Sequence, residues 1–133
     1  MNNKPQTAGD HAAKTNILLI EDEGEMCLLL TLALQKENVH IQHVSSLSSA
    51  HAFLQKKQPS IVLLDNRLPD GFGFDLITYI KASCPGTKVI MMSGVDKSAA
   101  DFALDAGADA FLSKPFKKSA LLASIDSVLS CNN

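Results

Sequence analysis

The stretch IVLLDNRLPDGFG, residues 61–73, decides the fold of this chain. It opens with four consecutive apolar residues, Ile61–Leu64, and the run stops at the acidic Asp65. A short apolar run bounded by charge is typical of a strand that is buried on both faces of a parallel sheet. Pro69-Asp70-Gly71 then predicts a turn, because proline presets φ and glycine accepts a positive φ. The stretch therefore indicates a central strand with a carboxylate at its carboxyl end.

Similar strand signals lie on both sides of this stretch. Ile17–Ile20 and Val89–Met92 are apolar runs that also stop at polar residues, so both predict buried strands. Val39–Val44 begins with alternating apolar and polar residues, which favours a half-exposed strand at a sheet edge. Ala110–Leu112 predicts a short last strand.

Apolar residues also recur with helical spacing between and after these strands, and five segments each predict an amphipathic helix. The predicted apolar faces are Met26, Leu29, Leu30, Ala33 and Leu34; Ala50, Phe53 and Leu54; Leu76, Ile77 and Ile80; Ala99, Phe102, Ala103 and Ala106; and Leu121, Leu122, Ile125, Val128 and Leu129. Gly107 follows the fourth face and predicts a C-terminal helix cap.

The alternation of five strands with five helices predicts an α/β fold in which helices cover both faces of a five-stranded parallel sheet. Right-handed crossovers and buried central strands favour the doubly wound order 2-1-3-4-5, which places the half-exposed second strand at an edge. Residues 1–15 are polar and aperiodic, so we expect a disordered tail or leader before a single domain at residues 16–131.

Composition excludes several classes of function. The chain has 133 residues and a formal net charge of −2, and only Arg67 among its 12 basic residues is an arginine, so we expect no direct binding to nucleic acid. No apolar run approaches the roughly 20 residues that span a bilayer, and the N-terminus lacks the apolar segment of a signal peptide. The cysteines Cys27, Cys84 and Cys131 show no metal-binding spacing. We therefore expect a cytoplasmic protein without membrane insertion, in which Cys27 is a buried, reduced thiol.

Polar residues follow the predicted strands where ligands bind in such sheets, beyond the carboxyl ends at the switch in strand order. Glu21 and Asp22 follow the first strand, Asp65 the third, Ser93 the fourth and Lys114 the fifth. Three carboxylates repel one another unless a cation joins them, and oxygen ligands with retained water suit Mg²⁺ better than Ca²⁺. An ammonium and a hydroxyl beside Mg²⁺ favour a phosphoryl site, in which a carboxylate can be the nucleophile.

Four segments together carry a resemblance to a known family: ILLIEDE (17–23), IVLLDNRLPDGFG (61–73), VIMMSG (89–94) and FLSKPF (111–116). They resemble the receiver domain of bacterial two-component response regulators, such as the chemotaxis regulators, over about residues 16–130. The resemblance implies a flavodoxin-like fold and phosphorelay signal transduction. It also implies Mg²⁺-dependent phosphoryl transfer from a histidine kinase, a histidine phosphotransfer protein or a small phosphodonor, with an unknown downstream protein partner.

The resemblance implies a role for each residue of the metal site. Asp65 is the phosphoacceptor and a metal ligand, Asp22 is a metal ligand, and Glu21 orders metal-bound water. The main-chain carbonyl of Arg67 is the remaining protein ligand. We expect its side chain to screen the phosphoryl group and to slow dephosphorylation, although it could equally lie in solvent.

The resemblance likewise implies roles around the phosphoryl group. Ser93 and Lys114 contact it, and Gly94 leaves the site open. The Lys114–Pro115 peptide bond is cis, and Phe111 is a switch aromatic that turns inward on phosphorylation. The surface of the fourth helix, fifth strand and fifth helix then changes shape and serves as the output surface.

Simpler structural roles remain open for the acidic residues. Asp65 can cap a local turn, and Glu21 and Asp22 can stabilise the first turn of the next helix. Three rival functions are a small aspartate-nucleophile phosphatase, a degenerate receiver that binds partners without phosphorylation, and a receiver cut from a hybrid kinase or transcription factor. The phosphatase needs a second Asp two residues past the nucleophile, where this chain has Arg67.

Overall fold

The computed structural model describes residues 15–35, 38–94 and 97–130 of the chain. In chain order, its strands and helices are β1 (Thr15–Ile20), α1 (Gly24–Leu34), β2 (Val39–Val44), α2 (Leu47–Lys56), β3 (Ile61–Asp65), β4 (Arg67–Leu68), β5 (Gly71–Phe72), α3 (Phe74–Ser83), β6 (Lys88–Ser93), α4 (Lys97–Ala106), β7 (Ala110–Ser113) and α5 (Lys118–Ser130). The expected tail at residues 1–15 lies outside the described residues, except that Thr15 begins β1. Cys131 also lies outside them.

Five strands form one parallel sheet in the order β2-β1-β3-β6-β7. With the short β4–β5 hairpin set aside, this is the order 2-1-3-4-5, and the predicted fold is confirmed. Every residue of the edge strand β2 is half-buried or exposed, as its alternating pattern predicts. The carboxyl ends of β1 and β3 are neighbours, so the residues that follow them share one end of the sheet.

Helices pack on both faces of the sheet, which explains why the central strands are apolar without alternation. In β1, Leu18 and Ile20 join a core cluster with α2 and α3, whereas Ile17 and Leu19 join a second cluster with α1 and α5. Burying one such side chain contributes about 1.5–3 kcal/mol to folding. No helix in the described ranges is long and apolar enough to cross a membrane.

Helix α1 buries most of the face that its sequence predicts, with Leu29 as the exception. Leu29, a predicted core residue, is 57% exposed, while the buried side chains are Cys27, Leu30 and Leu34. Leu28 and Leu32 are exposed as well. Because this helix is apolar around most of its circumference, spacing alone does not select the side that meets the sheet. Burial of Cys27 as a free thiol agrees with the prediction.

The prediction of a core position is wrong for two further residues. Phe102 of α4 is 58% exposed and Leu129 of α5 is 37% exposed. Phe102 lies on the outer surface and packs edge-on against Phe74 of α3, with 4.6 Å between ring centroids. Its neighbour Ala103 is fully buried, so the smaller residue lies where α4 meets the core.

The predicted turn at residues 69–71 is the tip of a small antiparallel hairpin. Arg67 of β4 pairs with Phe72 of β5, and Leu68 pairs with Gly71. Gly71 has φ +148°, and a Cβ there would lie 2.9 Å from Leu47 Cδ1 of α2, so the turn requires glycine. This hairpin joins the end of β3 to α3 and forms part of the rim of the site.

Candidate functional site

The predicted site residues meet at one end of the sheet. Asp65 is the last residue of β3 and Ser93 the last of β6, and both are buried. Glu21 directly follows β1 and is 1% exposed, whereas its neighbour Asp22 faces solvent. Lys114 directly follows β7 and is half-buried. Parallel strands bring residues from four separate parts of the chain together because their carboxyl ends share an edge.

An open cleft of about 400 Å³ lies over the phosphoacceptor candidate. Its lining consists of Asp65, Arg67, Ser93, Gly94 and Lys114. The cleft therefore presents a carboxylate, a hydroxyl and an ammonium to the same space. These are groups that can bind a phosphoryl group and form a covalent bond to it.

Lys114 joins the two buried carboxylates. Its ammonium donates to Asp65 Oδ1 at 3.0 Å and to Glu21 Oε1 at 3.2 Å. Burial opposes the charged form of Lys114, but the hydrogen bonds and negative charges of Asp65 and Glu21 outweigh that effect and raise the pKa of Lys114. The lysine is therefore an ammonium at neutral pH, in direct contact with the predicted nucleophile.

For Glu21, unlike Lys114, the surroundings disfavour the charged form. Burial raises the pKa of Glu21, the nearby charge of Asp65 raises it further, and the contact with Lys114 offsets only part of this. Its second oxygen, Oε2, accepts from the main-chain N–H of Glu23 at 3.3 Å. The formal charges of Glu21, Asp22 and Asp65 also exceed the single positive charge of Lys114.

The donor set fits a hard divalent cation. Glu21, Asp22 and Asp65 each offer a carboxylate oxygen, and these oxygens lie within 4.8 Å of one another. Oxygen-only ligands that include the exposed Asp22 suit Mg²⁺, which keeps several of its waters. A bound cation would stabilise the ionised form of Glu21, whose pKa is raised by burial and by the charge of Asp65.

Further geometry bears on the predicted switch residues. The Lys114–Pro115 peptide bond is cis, as predicted. The main-chain N–H of Lys114 donates to the carbonyl of Ser93 at 2.8 Å, which joins the ends of β6 and β7. Phe111 is half-buried against the core cluster of α2 and α3.

Sequence reasoning missed the support beneath Glu21. The main-chain carbonyl of Glu21 accepts from His43 Nε2 at 2.7 Å, and Cys27 Sγ lies 2.9 Å from the same nitrogen. Burial and the charge of Glu21 raise the pKa of the Cys27 thiol. No local pattern signals this contact, because it depends on the pairing that places Val44 beside Ile20.

Residues 17–126 match the response regulator receiver domain family. The chain belongs to this family. The receiver domain is a signalling domain of phosphorelay systems, in agreement with the resemblance of its four segments.

Curated relatives are response regulators of greater length. The receiver domain is 31% identical over 102 residues to the KDP operon transcriptional regulatory protein KdpE of Escherichia coli, covering 77% of this chain and 45% of KdpE. It is 33% identical over 104 residues to the response regulator PilR of Pseudomonas aeruginosa, covering 77% of this chain and 23% of PilR. The chain therefore spans less than half of either relative.

Solved structures give the same assignment. A CheY-like receiver domain protein from Methanospirillum hungatei superposes with a TM-score of 0.83 at 27% identity, over 90% of this chain and 96% of that one. The response regulator DrrB, a Thermotoga maritima OmpR/PhoB homologue, superposes with a TM-score of 0.79 at 25% identity, over 90% of this chain and 54% of that one.

Proposed function

We propose that the receiver domain accepts a phosphoryl group on Asp65. The observation that carries this proposal is the contact of Lys114 Nζ with Asp65 Oδ1, 3.0 Å apart, in a cleft that Ser93 also lines. The lysine orients the carboxylate and offsets its charge while leaving its other oxygen to attack. Asp65 is buried in this setting, so its environment differs from that of a turn aspartate in solvent.

The chemistry is an in-line transfer. A carboxylate oxygen of Asp65 attacks the phosphorus of a phosphohistidine, a P–O bond forms and the P–N bond breaks. The electron pair leaves with the imidazole, which takes up a proton from solvent. The hydroxyl of Ser93 donates a hydrogen bond to one phosphoryl oxygen, and the ammonium of Lys114 moves from Asp65 to another phosphoryl oxygen.

The metal site of this proposal consists of Asp22, Asp65 and the main-chain carbonyl of Arg67, with Glu21 ordering metal-bound water. Mg²⁺, when bound, supplies positive charge that offsets the charge on the phosphoryl oxygens. The clustering of the three carboxylates supports this assignment.

The donor in this proposal is a histidine kinase, a histidine phosphotransfer protein or a small molecule such as acetyl phosphate, and the compartment is the cytoplasm. Phosphorylation replaces one carboxylate charge by about 1.5 to 2 negative charges. The added charge draws Ser93 and Lys114 towards it, and Phe111 turns inward as Ser93 moves. The surface of α4, β7 and α5 then changes and binds a downstream protein, while the receiver domain itself, residues 16–131, contacts no nucleic acid.

Intact mass spectrometry after incubation with acetyl phosphate and Mg²⁺ tests the core of this proposal. We expect a gain of one phosphoryl group in the wild type and none in Asp65→Asn. A wild-type chain that gains no phosphoryl group from any donor would instead be a degenerate receiver, although its Asp65, Ser93 and Lys114 are in contact or share one cleft.

The domain in this proposal modifies only itself and is not an enzyme acting on a separate substrate. The phosphatase alternative needs an acid/base carboxylate two residues past the nucleophile, where Arg67 lies with an exposed side chain. Turnover of p-nitrophenyl phosphate by the purified chain would favour the phosphatase. The greater length of KdpE and PilR keeps a fragment of a larger regulator among the alternatives.

Arg67 governs the lifetime of the phosphorylated state in this proposal. Its side chain is exposed and it lines the cleft, where a long cation can shield the phosphoryl group from water. We expect Arg67→Ala to lose its phosphoryl group faster than the wild type in a timed dephosphorylation assay. Equal rates would show that the side chain lies in solvent without effect.

A further inference from the structure

The β4–β5 hairpin is attached to the start of α2 by one carboxylate. Asp70 Oδ1 accepts from the main-chain N–H of Leu47 at 2.8 Å, and Oδ2 accepts from that of Ser48 at 3.0 Å. These two hydrogen bonds, here called the Asp70 clamp, lower the pKa of Asp70. The clamp satisfies N–H groups that the first turn of a helix leaves without intrahelical partners.

The tip of the hairpin also approaches α2 closely. The position of a Cβ on Gly71 would be only 2.9 Å from Leu47 Cδ1, so the tip of the hairpin lies directly against α2. The helix also has a cap of its own, because Ser46 Oγ accepts from the N–H of Ser49 at 3.1 Å. Asp70 is therefore more than a helix cap, because it joins the hairpin to α2. It lies 23 residues from Leu47 and 22 residues from Ser48 in sequence.

The other end of the same hairpin forms the rim of the phosphoacceptor cleft. Arg67 pairs with Phe72, Leu68 pairs with Gly71, and Arg67 lines the cleft beside Asp65. The N–H of Gly73 donates to the carbonyl of Asn66 at 2.7 Å and closes the hairpin at its base. The Asp70 clamp and Arg67 are thus opposite ends of one short, hydrogen-bonded ladder.

We propose that Asp70 is a positioning residue for the metal site, because the Asp70 clamp holds the hairpin that carries the main-chain carbonyl of Arg67. This inference rests on the proposed function, in which that carbonyl is a ligand of Mg²⁺. Mg²⁺ demands near-ideal octahedral placement of its oxygen ligands, so a loosened carbonyl must be ordered at the expense of binding free energy. Asp70 lies outside the carboxylate cluster of the described residues and acts only through Arg67.

Titration of the metal-free receiver domain with Mg²⁺, followed by NMR of the backbone amides, tests the proposal. We expect Asp70→Ala to weaken Mg²⁺ binding about tenfold, the size typical for residues that orient a metal ligand. Amide hydrogen exchange of Leu68 and Phe72 without metal should also quicken, since the ladder loses its attachment to α2. If Asp70→Ala does not fold, Asp70→Asn keeps one acceptor oxygen and should show an intermediate loss.

Two matched variants separate positioning from other effects. Ser46→Ala removes a cap from the same helix terminus without touching the hairpin, so it should lower thermal stability and leave Mg²⁺ affinity unchanged. Asp75→Ala removes an exposed negative charge of α3 near the hairpin in sequence, and it measures the general electrostatic effect. High salt screens the electrostatic effect, whereas the loss of Mg²⁺ affinity that a misplaced carbonyl causes in Asp70→Ala persists.

Two results would overturn the inference. One is a wild-type Mg²⁺ affinity in Asp70→Ala, and the other is an equal loss in Asp75→Ala. In both cases the wild type still binds Mg²⁺ and is phosphorylated, so the proposed function survives. A wild type that binds no Mg²⁺ would overturn the metal site itself, and the role of Asp70 with it.

Discussion

Lys114 shows how a single residue makes a cluster of acids compatible with folding. Glu21 and Asp65 are both buried, and each contributes its charge to the same small volume. The ammonium contacts both and remains charged because they raise its pKa. The ammonium of Lys114 lowers the pKa of Glu21 but does not offset the other effects. That pKa is still raised, chiefly by burial and by the charge of Asp65. The residual negative charge is what a divalent cation would bind.

Asn66, the residue after Asp65, carries a buried polar atom without a partner. It is 4% exposed, and its Oδ1 is a buried side-chain oxygen without a hydrogen-bond partner in the described part of the chain. We expect Asn66→Leu to unfold in urea with a free energy no lower than that of the wild type, because the substitution removes an unpaired carbonyl while keeping the branching of the side chain.

Thr87→Val is the matched contrast. Thr87 is also buried, but its hydroxyl donates to the carbonyl of Pro59 at 2.7 Å. Removing the hydroxyl leaves that carbonyl unpaired, and we expect the free energy of unfolding to fall by about 1–3 kcal/mol. A loss of the same size in Asn66→Leu would mean that the amide makes a contact on which folding depends.

At the scale of elements, strand ends and the hairpin decide what the site contains. β1, β3 and β6 end where apolar residues give way to Glu21, Asp65 and Ser93. Each of these strands therefore contributes apolar side chains to the core and ends at a polar side chain of the site. The β4–β5 hairpin adds Arg67 to the rim and depends on one residue with a positive φ, Gly71.

Gly71→Ala tests that dependence. The substitution forces an L-residue to φ +148° and drives its Cβ against Leu47 Cδ1, so we expect a loss of about 1–3 kcal/mol in urea unfolding. Gly86→Ala is the control, because a Cβ there meets no atom within 4 Å and no positive φ is involved. We expect it to change stability by less than about 0.5 kcal/mol. Equal stability of the two variants would contradict the requirement for glycine.

At the scale of the whole molecule, the doubly wound topology gathers residues that are up to 93 positions apart, as Glu21 and Lys114 are. The order β2-β1-β3 places β1 and β3 side by side at the switch in winding, so their acidic ends adjoin. The Asp70 clamp similarly ties the hairpin after β3 to the helix after β2.

Acid unfolding of the wild type and Asp70→Asn measures the contribution of the Asp70 clamp. The folded-state pKa of Asp70 is lowered from the ordinary 3.8, first by its bonds to Leu47 and Ser48, so the stabilisation is present above 3.8 and is lost as pH falls through the lowered value. We expect the wild type to be the more stable above pH 3.8 and the difference to shrink below it. A difference that stays constant across this range would exclude the clamp as a pH-dependent contribution.

The sequence by itself determined the order of strands and helices, the arrangement of the sheet and the residues at the strand ends. The strands follow from local patterns, since a buried strand needs a continuous apolar run and polar residues such as Asp65 and Ser93 mark where it stops. Their order in the sheet follows from the handedness of crossovers and from the burial of the central strands. Only the tertiary structure decided that α1 exposes Leu29, because an almost wholly apolar helix has no local preference for one side. It also decided the contacts of Glu21 with Lys114 and of Asp70 with α2. Those depend on how strands and loops distant in sequence are brought together, which no local pattern records.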